Sequence, residues 1–420
     1  MNKAKFDEVA SGADGCVLTR RVYWHKNGSA VRWGRGDCEH CFDEGMRASG
    51  FEARCLSASS SAVSNQNCNF PRGGARQGSR WGWSRENGIR KGTVKMSQGG
   101  QAPQTAGGQL KLESVGCIGL GMMGHGIAKN ICEKGYPVTV LDIRNQSAVE
   151  DMAKRGATIA KNPREVAERA TVVFICVNNS LQVESIIRGL DGLKGTLKKG
   201  GVIVDCSTSD PTSTLTLAAE LAPLGIELVD AAMGRTPKEA WEGTLDAMVG
   251  ANHEVFSRVK PIIGAWAARI VHIGATGDGH KMKLLNNFLA MGYAAMYSEA
   301  LALSVKVGIS PERFDSAIRN GRMDCGFYQT FMQWILQGDR DAHKFSISNA
   351  FKDMRYLESM SDAVGLVNPM GNAIKNSYAI AVAAGGEADY VPMLATYIGK
   401  INGVDLTPKR PESGKAGAGK

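Results

Sequence analysis

A short apolar run that leads straight into Gly119-Leu120-Gly121-Met122-Met123-Gly124 and then into a helix leaves this chain few folds to choose from. Residues 114–120 read as a strand. Residues 122–134 repeat their apolar positions with the period of an amphipathic helix, which Gly135 stops, and residues 137–143 read as a second strand. Between a strand and a helix, each glycine has its own task. Gly119 permits a tight turn, Gly121 has no Cβ to keep a pyrophosphate away, and Gly124 lets the helix pack close. The first helical turn then offers unpaired N–H groups and a partial positive charge to the phosphates, with Leu120, Met122 and Met123 completing the binding turn. Asp142, about twenty residues on, stands where an acid accepts hydrogen bonds from the adenosine ribose. A carboxylate there repels a 2′-phosphate, so NAD is the expected cofactor. Arg144 can attract that phosphate, which leaves NADP open. A glycine-rich turn of some other α/β protein is the competing reading, and the strand, helix and acid together count against it.

The rest of the chain divides by pattern. Helices at residues 149–155, 163–169 and 213–222 alternate with strands at 171–177, 201–206 and 226–231. That alternation predicts an α/β fold, a Rossmann doubly wound parallel sheet. Beyond about Gly274 the strand patterns stop. Helical patterns cover 279–307, 311–320, 327–336, 347–364, 370–384 and 390–401, an all-α C-terminal domain. The expected division is an N-terminal extension at 1–110, a NAD-binding domain at 111–275, a helical domain at 276–405 and a frayed tail at 406–420. The first helix of the second domain carries Met282, Leu285, Leu289 and Met296, more apolar residues than one face needs. A homodimer or homotetramer built through the helical domain is therefore expected.

Composition matters chiefly for the front of the chain. Residues 1–95 carry 16 Lys and Arg against 9 Asp and Glu, which leaves only +2 of the chain's +9 for everything behind them. The basic excess is thus not a property of the patterned region, and no nucleic-acid partner is expected for it. The front segment is rich in Gly, Ser, Arg and Asn, holds four of the seven Trp, and shows no sustained period. It lacks the apolar stretch of a secretory signal, and its nine acids argue against a mitochondrial transit peptide. The expectation is that the native protein begins at Met96 and that residues 1–95 are disordered or not natively translated. Cys38-Glu39-His40-Cys41 resembles half of a zinc site, but no second pair stands at a fitting spacing, so no metal is expected. Cys117, Cys132, Cys176, Cys206 and Cys325 lie mostly in apolar runs and read as reduced core residues. No apolar run is read as long enough to span a membrane, which leads to the expectation of a soluble, cytoplasmic protein.

Four blocks behind residue 114 carry a resemblance to the β-hydroxyacid dehydrogenases, the family that includes 3-hydroxyisobutyrate dehydrogenase. They are Gly119 to Gly124 with Ala128-Lys129-Asn130; Asp205-Cys206-Ser207-Thr208 with Pro211; Asp230-Ala231-Ala232-Met233-Gly234; and Gly279 through Lys283 to Asn286-Asn287. Lys352-Asp353 also fits, and the resemblance spans residues 115–401. It implies an NAD-dependent oxidoreductase that passes hydride between nicotinamide C4 and a small anionic 3-hydroxyacid or semialdehyde. Lys283 would then be the catalytic lysine. Chemistry supports that role, because hydride leaves a carbinol carbon only as the hydroxyl proton is removed, and a lysine of lowered pKa can take or return that proton. Asn287, four residues on, shares its helix face and would hold the substrate oxygen.

The same resemblance places Thr208, Val177 and Asn178 beside the cofactor at the carboxyl ends of sheet strands. It brings Lys352 to cofactor and substrate from the helical domain, against the alternative of a surface pair with Asp353. Asn178-Asn179 departs from the Leu-Pro or Val-Ser usual in the family. Where many members have Ser-Gly-Gly for the substrate carboxylate, this chain has Gly234-Arg235-Thr236. Arg235 offers a charged fork to a carboxylate, sulfonate or phosphate, and Thr236 a hydroxyl. With Glu242-Gly243-Thr244-Leu245 the segment looks like the sulfolactaldehyde reductase branch, although Ala290 stands where that branch is expected to have serine. A salt bridge at the domain junction is the alternative for Arg235. An imine reductase and a non-catalytic dinucleotide-binding or chromatin-reader subunit are the competing functions, and Lys283 with Asn287 counts against both.

Overall fold

A computed structural model of the chain describes residues 112–408. Ahead of them it describes the backbone of β1 (Asp7–Ser11) and β2 (Val17–Arg21), an antiparallel pair. The expectations for residues 1–95, Cys38 and Cys41 included, otherwise lie outside the described residues, as does the end of the tail.

From Ser114 the chain alternates strands and helices. In order come β3 (Val115–Ile118), α1 (Gly124–Glu133), β4 (Val138–Leu141), α2 (Gln146–Lys154), β5 (Thr158–Ile159), α3 (Pro163–Arg169), β6 (Val172–Ile175) and α4 (Ser180–Arg188). There follow β7 (Val202–Asp205), α5 (Pro211–Leu221), β8 (Glu227–Gly234), α6 (Pro237–Glu242), β9 (Leu245–Gly250), α7 (His253–Ile263) and β10 (Ala267–Gly274). The strand order is β10-β9-β8-β7-β6-β3-β4-β5. Every residue of β3, β4, β6 and β7 is buried, because helices cover both faces of this sheet and no alternation with polar residues is required. The chain steps outward from β3 to β4 and β5, then returns to the other side of β3 with β6. The loops after β3 and β6 therefore diverge at the topological switch point, where such sheets bind ligands.

The sheet is not wholly parallel. β8 and β9 pair antiparallel, while β9 and β10 are parallel to each other. The short α6, closed by left-handed Gly243, turns the chain back too tightly for a right-handed crossover, so β9 runs against β8. The sequence pattern does not show β5, α4, α6, α7, β9 or β10. β10 is a half-exposed edge strand with mixed polarity and gives no clean period. Fully buried Trp266, edge-on to Phe174 at 6.4 Å, seals this end of the core.

After Gly274 the described chain is helical: α8 (Asp278–Lys306), α9 (Pro311–Ile318), α10 (Gly326–Gln337), α11 (Ile347–Ala363), α12 (Pro369–Ala383) and α13 (Leu394–Ile401). α8 is, by length and composition, apolar enough to cross a membrane, which corrects the expectation that no segment is. It is instead the axis of the helical core. It packs against α11, α12 and α13 and against the ends of β8 and β9, through Leu284, Met291, Ala294, Ala295, Leu301 and Ala302. Met282, Leu285, Leu289 and Met296 lie on its exposed side. Cys117 and Cys206 are core residues and all five described cysteines are free, but Cys325 is exposed at the start of α10 rather than in the core.

Candidate active site

The glycine turn divides into two kinds of glycine. Gly119 has φ +91, and a Cβ there would lie 2.2 Å from the Cys176 carbonyl oxygen; at Gly124 it would lie 2.0 Å from the Gly119 oxygen. Those two serve the protein's own close packing. At Gly121 a Cβ would meet no atom within 4 Å, so the absent side chain leaves an open cradle at the N-terminus of α1. A dinucleotide pyrophosphate fits that cradle. Leu120 differs from its neighbours, for its side chain is fully buried in the core and only its backbone takes part.

Asp142 lies just past β4 and is held by three backbone N–H donors: Leu120 at 2.6 Å, Arg144 at 2.7 Å and Asn145 at 2.8 Å. Burial opposes its ionisation, but these donors and the Arg144 charge outweigh burial and hold the carboxyl below its usual range. It is thus a fixed anion on the wall of a cleft of about 530 Å³, lined also by Gly119, Gly121, Val177, Asn178 and Arg144. A second cleft, of about 380 Å³, shares Gly121, Val177 and Asn178 with the first. Its wall brings together Met122, Met123, Gly124, Thr208, Gly234, Arg235, Thr236, Lys283, Asn287 and Lys352. Val177, Asn178 and Thr208 sit in the loops after β6 and β7 rather than at strand ends. The Asn178-Asn179 departure has a local reason, because Asn179 caps α4 by accepting from the Gln182 N–H at 3.0 Å.

Lys283 is placed by a cap from outside its own helix. The buried Asp230 carboxylate of β8 accepts the Gly277 N–H at 2.6 Å and the His280 N–H at 2.7 Å, two of the orphan donors at the start of α8. Buried His280 adds a second tie, its Nδ1 lying 2.8 Å from Thr214 Oγ1 of α5. Lys283 follows one turn later and opens on the cleft. Burial lowers its pKa from the ordinary 10.5, Asp353 opposes the shift and Lys352 reinforces it.

Asn287 does share that face, but its Nδ2 donates to Asp353 Oδ2 at 2.6 Å. Lys352 does not match the surface-pair alternative. It lies 3.2 Å from Asp353 Oδ1, yet it is not a surface pair, for its Nζ donates to the Asn178 carbonyl at 2.6 Å and the Thr208 carbonyl at 2.9 Å. The helical domain thereby grips the two loops that line the cofactor side.

Arg235 keeps φ +79, one of two described non-glycine residues with a positive φ. That conformation costs about 1–2 kcal/mol for a residue with a Cβ. The Arg235 Nε lies 3.2 Å from Asp246 Oδ2, and its terminal nitrogens take no other acceptor among the described residues. Thr236 spends its hydroxyl on Glu239, within the cap of α6. The sequence reading missed His343, Lys344 and Asn349 on the same wall, and took Asp353 only as the partner of Lys352, not as the acceptor that fixes Asn287. His343 and Lys344 lie in a loop without period or motif. Among the described residues no cluster of His, Cys, Asp and Glu forms a metal site.

Comparison with known proteins bears on the family and the fold. Residues 114–274 match the NAD binding domain of 6-phosphogluconate dehydrogenase, and residues 277–397 match the NAD-binding domain of NADP-dependent 3-hydroxyisobutyrate dehydrogenase. The chain is 34% identical to 2-(hydroxymethyl)glutarate dehydrogenase of Eubacterium barkeri over 241 residues, 57% of this chain and 79% of that one. It is 29% identical to 3-sulfolactaldehyde reductase of Escherichia coli K12 over 288 residues, 67% of this chain and 95% of that one. The crystal structure of 3-hydroxyisobutyrate dehydrogenase from Salmonella typhimurium superposes with a TM-score of 0.61 at 24% identity, covering 68% of this chain and 99% of that chain, and shares the fold.

Proposed function

The chain belongs to the β-hydroxyacid dehydrogenases, NAD(P)-dependent oxidoreductases of small hydroxyacids, and on that premise we propose that it interconverts a small anionic 3-hydroxyacid and its semialdehyde, using NAD and with Lys283 moving the proton. The observation that carries this is the placement of Lys283, with its lowered pKa, on one wall with the Gly121 cradle and Arg235. A bound nicotinamide dinucleotide supplies the hydride acceptor or donor. Gly121 to Gly124 would hold its pyrophosphate, Asp142 its ribose, and Val177, Asn178 and Thr208 the remainder, with Lys352 bracing those loops. In oxidation neutral Lys283 accepts the hydroxyl proton; in reduction its ammonium polarises the carbonyl and returns that proton. Asn287, fixed by Asp353, orients the substrate oxygen. Gly234 and Arg235 hold the anion, with the arginine supplying the charge; Thr236, expected beside them, gives both its N–H and its hydroxyl to Glu239 and so fixes the turn instead. Assay of NADH oxidation against a panel of semialdehydes tests the proposal. Binding of NADH without turnover of any of them would favour a non-catalytic dinucleotide-binding subunit.

A sulfonate-bearing aldehyde is the second reading. It is favoured by Arg235, and the relative named 3-sulfolactaldehyde reductase gives it a precedent. In both readings Arg235→Gly separates binding from folding. Glycine takes φ +79 without strain, so the melting temperature should hold or rise. KM for the anionic substrate should rise by about 10- to 100-fold as one charge-assisted pair is lost. An unchanged KM would remove Arg235 from the site.

For the cofactor, kcat/KM should favour NADH over NADPH by at least about tenfold, since the Asp142 anion is fixed by three donors and meets the 2′-phosphate at short range. Equal values would show that Arg144 cancels it. We also propose that the exposed apolar stripe of α8, from Met282 to Met296, is covered by a second copy of the chain in a homodimer or homotetramer. The free cysteines fit the reducing compartment expected of a cytoplasmic enzyme.

A further inference from the structure

The cation offered to the substrate does not stand alone. Arg235 Nε lies 3.2 Å from Asp246 Oδ2. The antiparallel pairing of β8 with β9 sets Asp246 directly across from Gly234, so sheet register brings this carboxylate beside the turn that carries Arg235. The other oxygen, Asp246 Oδ1, is shut off from solvent and has no hydrogen-bond partner among the described residues. Its charge is therefore left to act on the arginine. A second carboxylate acts on the same guanidinium. Glu239 of α6 accepts the Thr236 N–H at 3.0 Å and the Thr236 hydroxyl. Burial opposes ionisation of Glu239, but the Thr236 hydroxyl, backbone donors and the Arg235 charge outweigh burial and hold the carboxyl below its usual range. One arginine thus stands between two carboxylates. The other cations of the wall are answered in their own places, Lys352 by Asp353 and Lys344 by Asp341, and Lys283 is assigned to the reacting oxygen.

We propose that Asp246 determines specificity at the anion subsite: it holds Arg235 by Nε, leaves the two terminal nitrogens to grip one singly charged group, and by its own charge selects against a doubly charged group such as a phosphate. A carboxylate and a sulfonate suit such a fork alike, because each presents two oxygens and one charge. A phosphate brings a second negative charge that Arg235 has no capacity to meet, and that charge falls near Asp246 and Glu239. The pyrophosphate that the Gly121 cradle would hold on the same cleft adds to the repulsion. The Arg235 side chain is 47% exposed, so water screens part of the effect and the selection is graded rather than absolute.

The inference rests on the reading of Arg235 as the contact for the substrate's anion, and its test needs no turnover. Isethionate and 2-hydroxyethylphosphonate share one shape, and at about pH 9 they carry one charge and two. Their binding to the NADH complex is measured by calorimetry for the wild type, Asp246→Asn and Asp246→Ala, with a thermal melt of each. The wild type should bind isethionate about tenfold more tightly than the phosphonate. Asparagine keeps an acceptor for Arg235 Nε and loses the charge, so Asp246→Asn should bring the ratio to within about threefold while melting near the wild type. Asp246→Ala should move the ratio as far and also weaken both ligands, because the fork loses its support. A merely structural role would weaken both ligands together and leave the ratio where it was. If no semialdehyde is turned over but the ratio shifts as stated, the reaction assigned above is wrong and the role of Asp246 stands. A wild-type ratio near one, a ratio that neither variant moves, or no binding of either ligand overturns it.

Discussion

Lys283→Ala is expected to lose about 10³-fold or more in kcat in both directions, within the range for loss of a positioned acid–base group, while its NADH Kd stays within about twofold of the wild type. The two halves of that result have separate physical grounds. The proton must leave the carbinol oxygen as hydride leaves the carbon, and Lys283 is the titratable group on the α8 face of the cleft, one turn beyond the Asp230 cap. On the proposed reading cofactor affinity rests on the switch-point loops, which Lys352 braces through two carbonyls; no hydrogen bond to them from Lys283 is found among the described residues. Stability should survive as well, because a lysine whose pKa burial has lowered is costly to keep charged, and alanine removes that cost. Near-normal turnover in the variant would take Lys283 out of the mechanism; loss of NADH binding would make its role structural.

Gly121→Val is expected to leave the melting temperature within about 2 °C of the wild type and to weaken NADH binding by at least about 100-fold, roughly 2.7 kcal/mol. A Cβ at this position meets no protein atom, so the isopropyl group fills the space the pyrophosphate would need and little else. The flanking glycines behave differently. Gly124→Ala sets a Cβ 2.0 Å from the Gly119 carbonyl oxygen and should destabilise the fold itself. Three glycines of one motif thus separate into two that the protein needs and one that its ligand needs. Calorimetric titration with NADH beside a thermal melt distinguishes them. Normal NADH affinity in Gly121→Val would place the pyrophosphate elsewhere.

Much of this site was legible because its chemistry is written in short-range sequence. The turn from Gly119 to Gly124 and the acid at Asp142 follow from spacings that secondary structure dictates; Lys283 was singled out only by the resemblance of its block, and spacing added no more than Asn287 on the same helix face. What escaped was set by tertiary contact. The antiparallel return of β9 depends on how tightly α6 turns, and the edge strand β10 has too mixed a burial to show a period. The left-handed conformation of Arg235 is invisible in a residue that ordinarily avoids it. Asp230 reads in sequence as one acid in an apolar strand, and only the fold shows it capping the helix that carries Lys283. α8 was read as a helix of the second domain, but its span-like length and composition went unnoticed, because an apolar helix at the centre of a helical domain has the composition of a membrane span.

The pH dependence of kcat/KM for 3-hydroxyacid oxidation, measured for the wild type and for Lys283→Arg, tests the central claim most directly. Oxidation needs neutral Lys283, so the wild-type rate should rise with pH and level off along a limb below the ordinary lysine value of 10.5, while reduction falls along the same limb. Arginine keeps its proton above about pH 12, so Lys283→Arg should lose both the limb and the oxidative activity. A wild-type profile that is flat across this range, or a Lys283→Arg enzyme that retains the wild-type limb and rate, would contradict the assignment of the proton to Lys283.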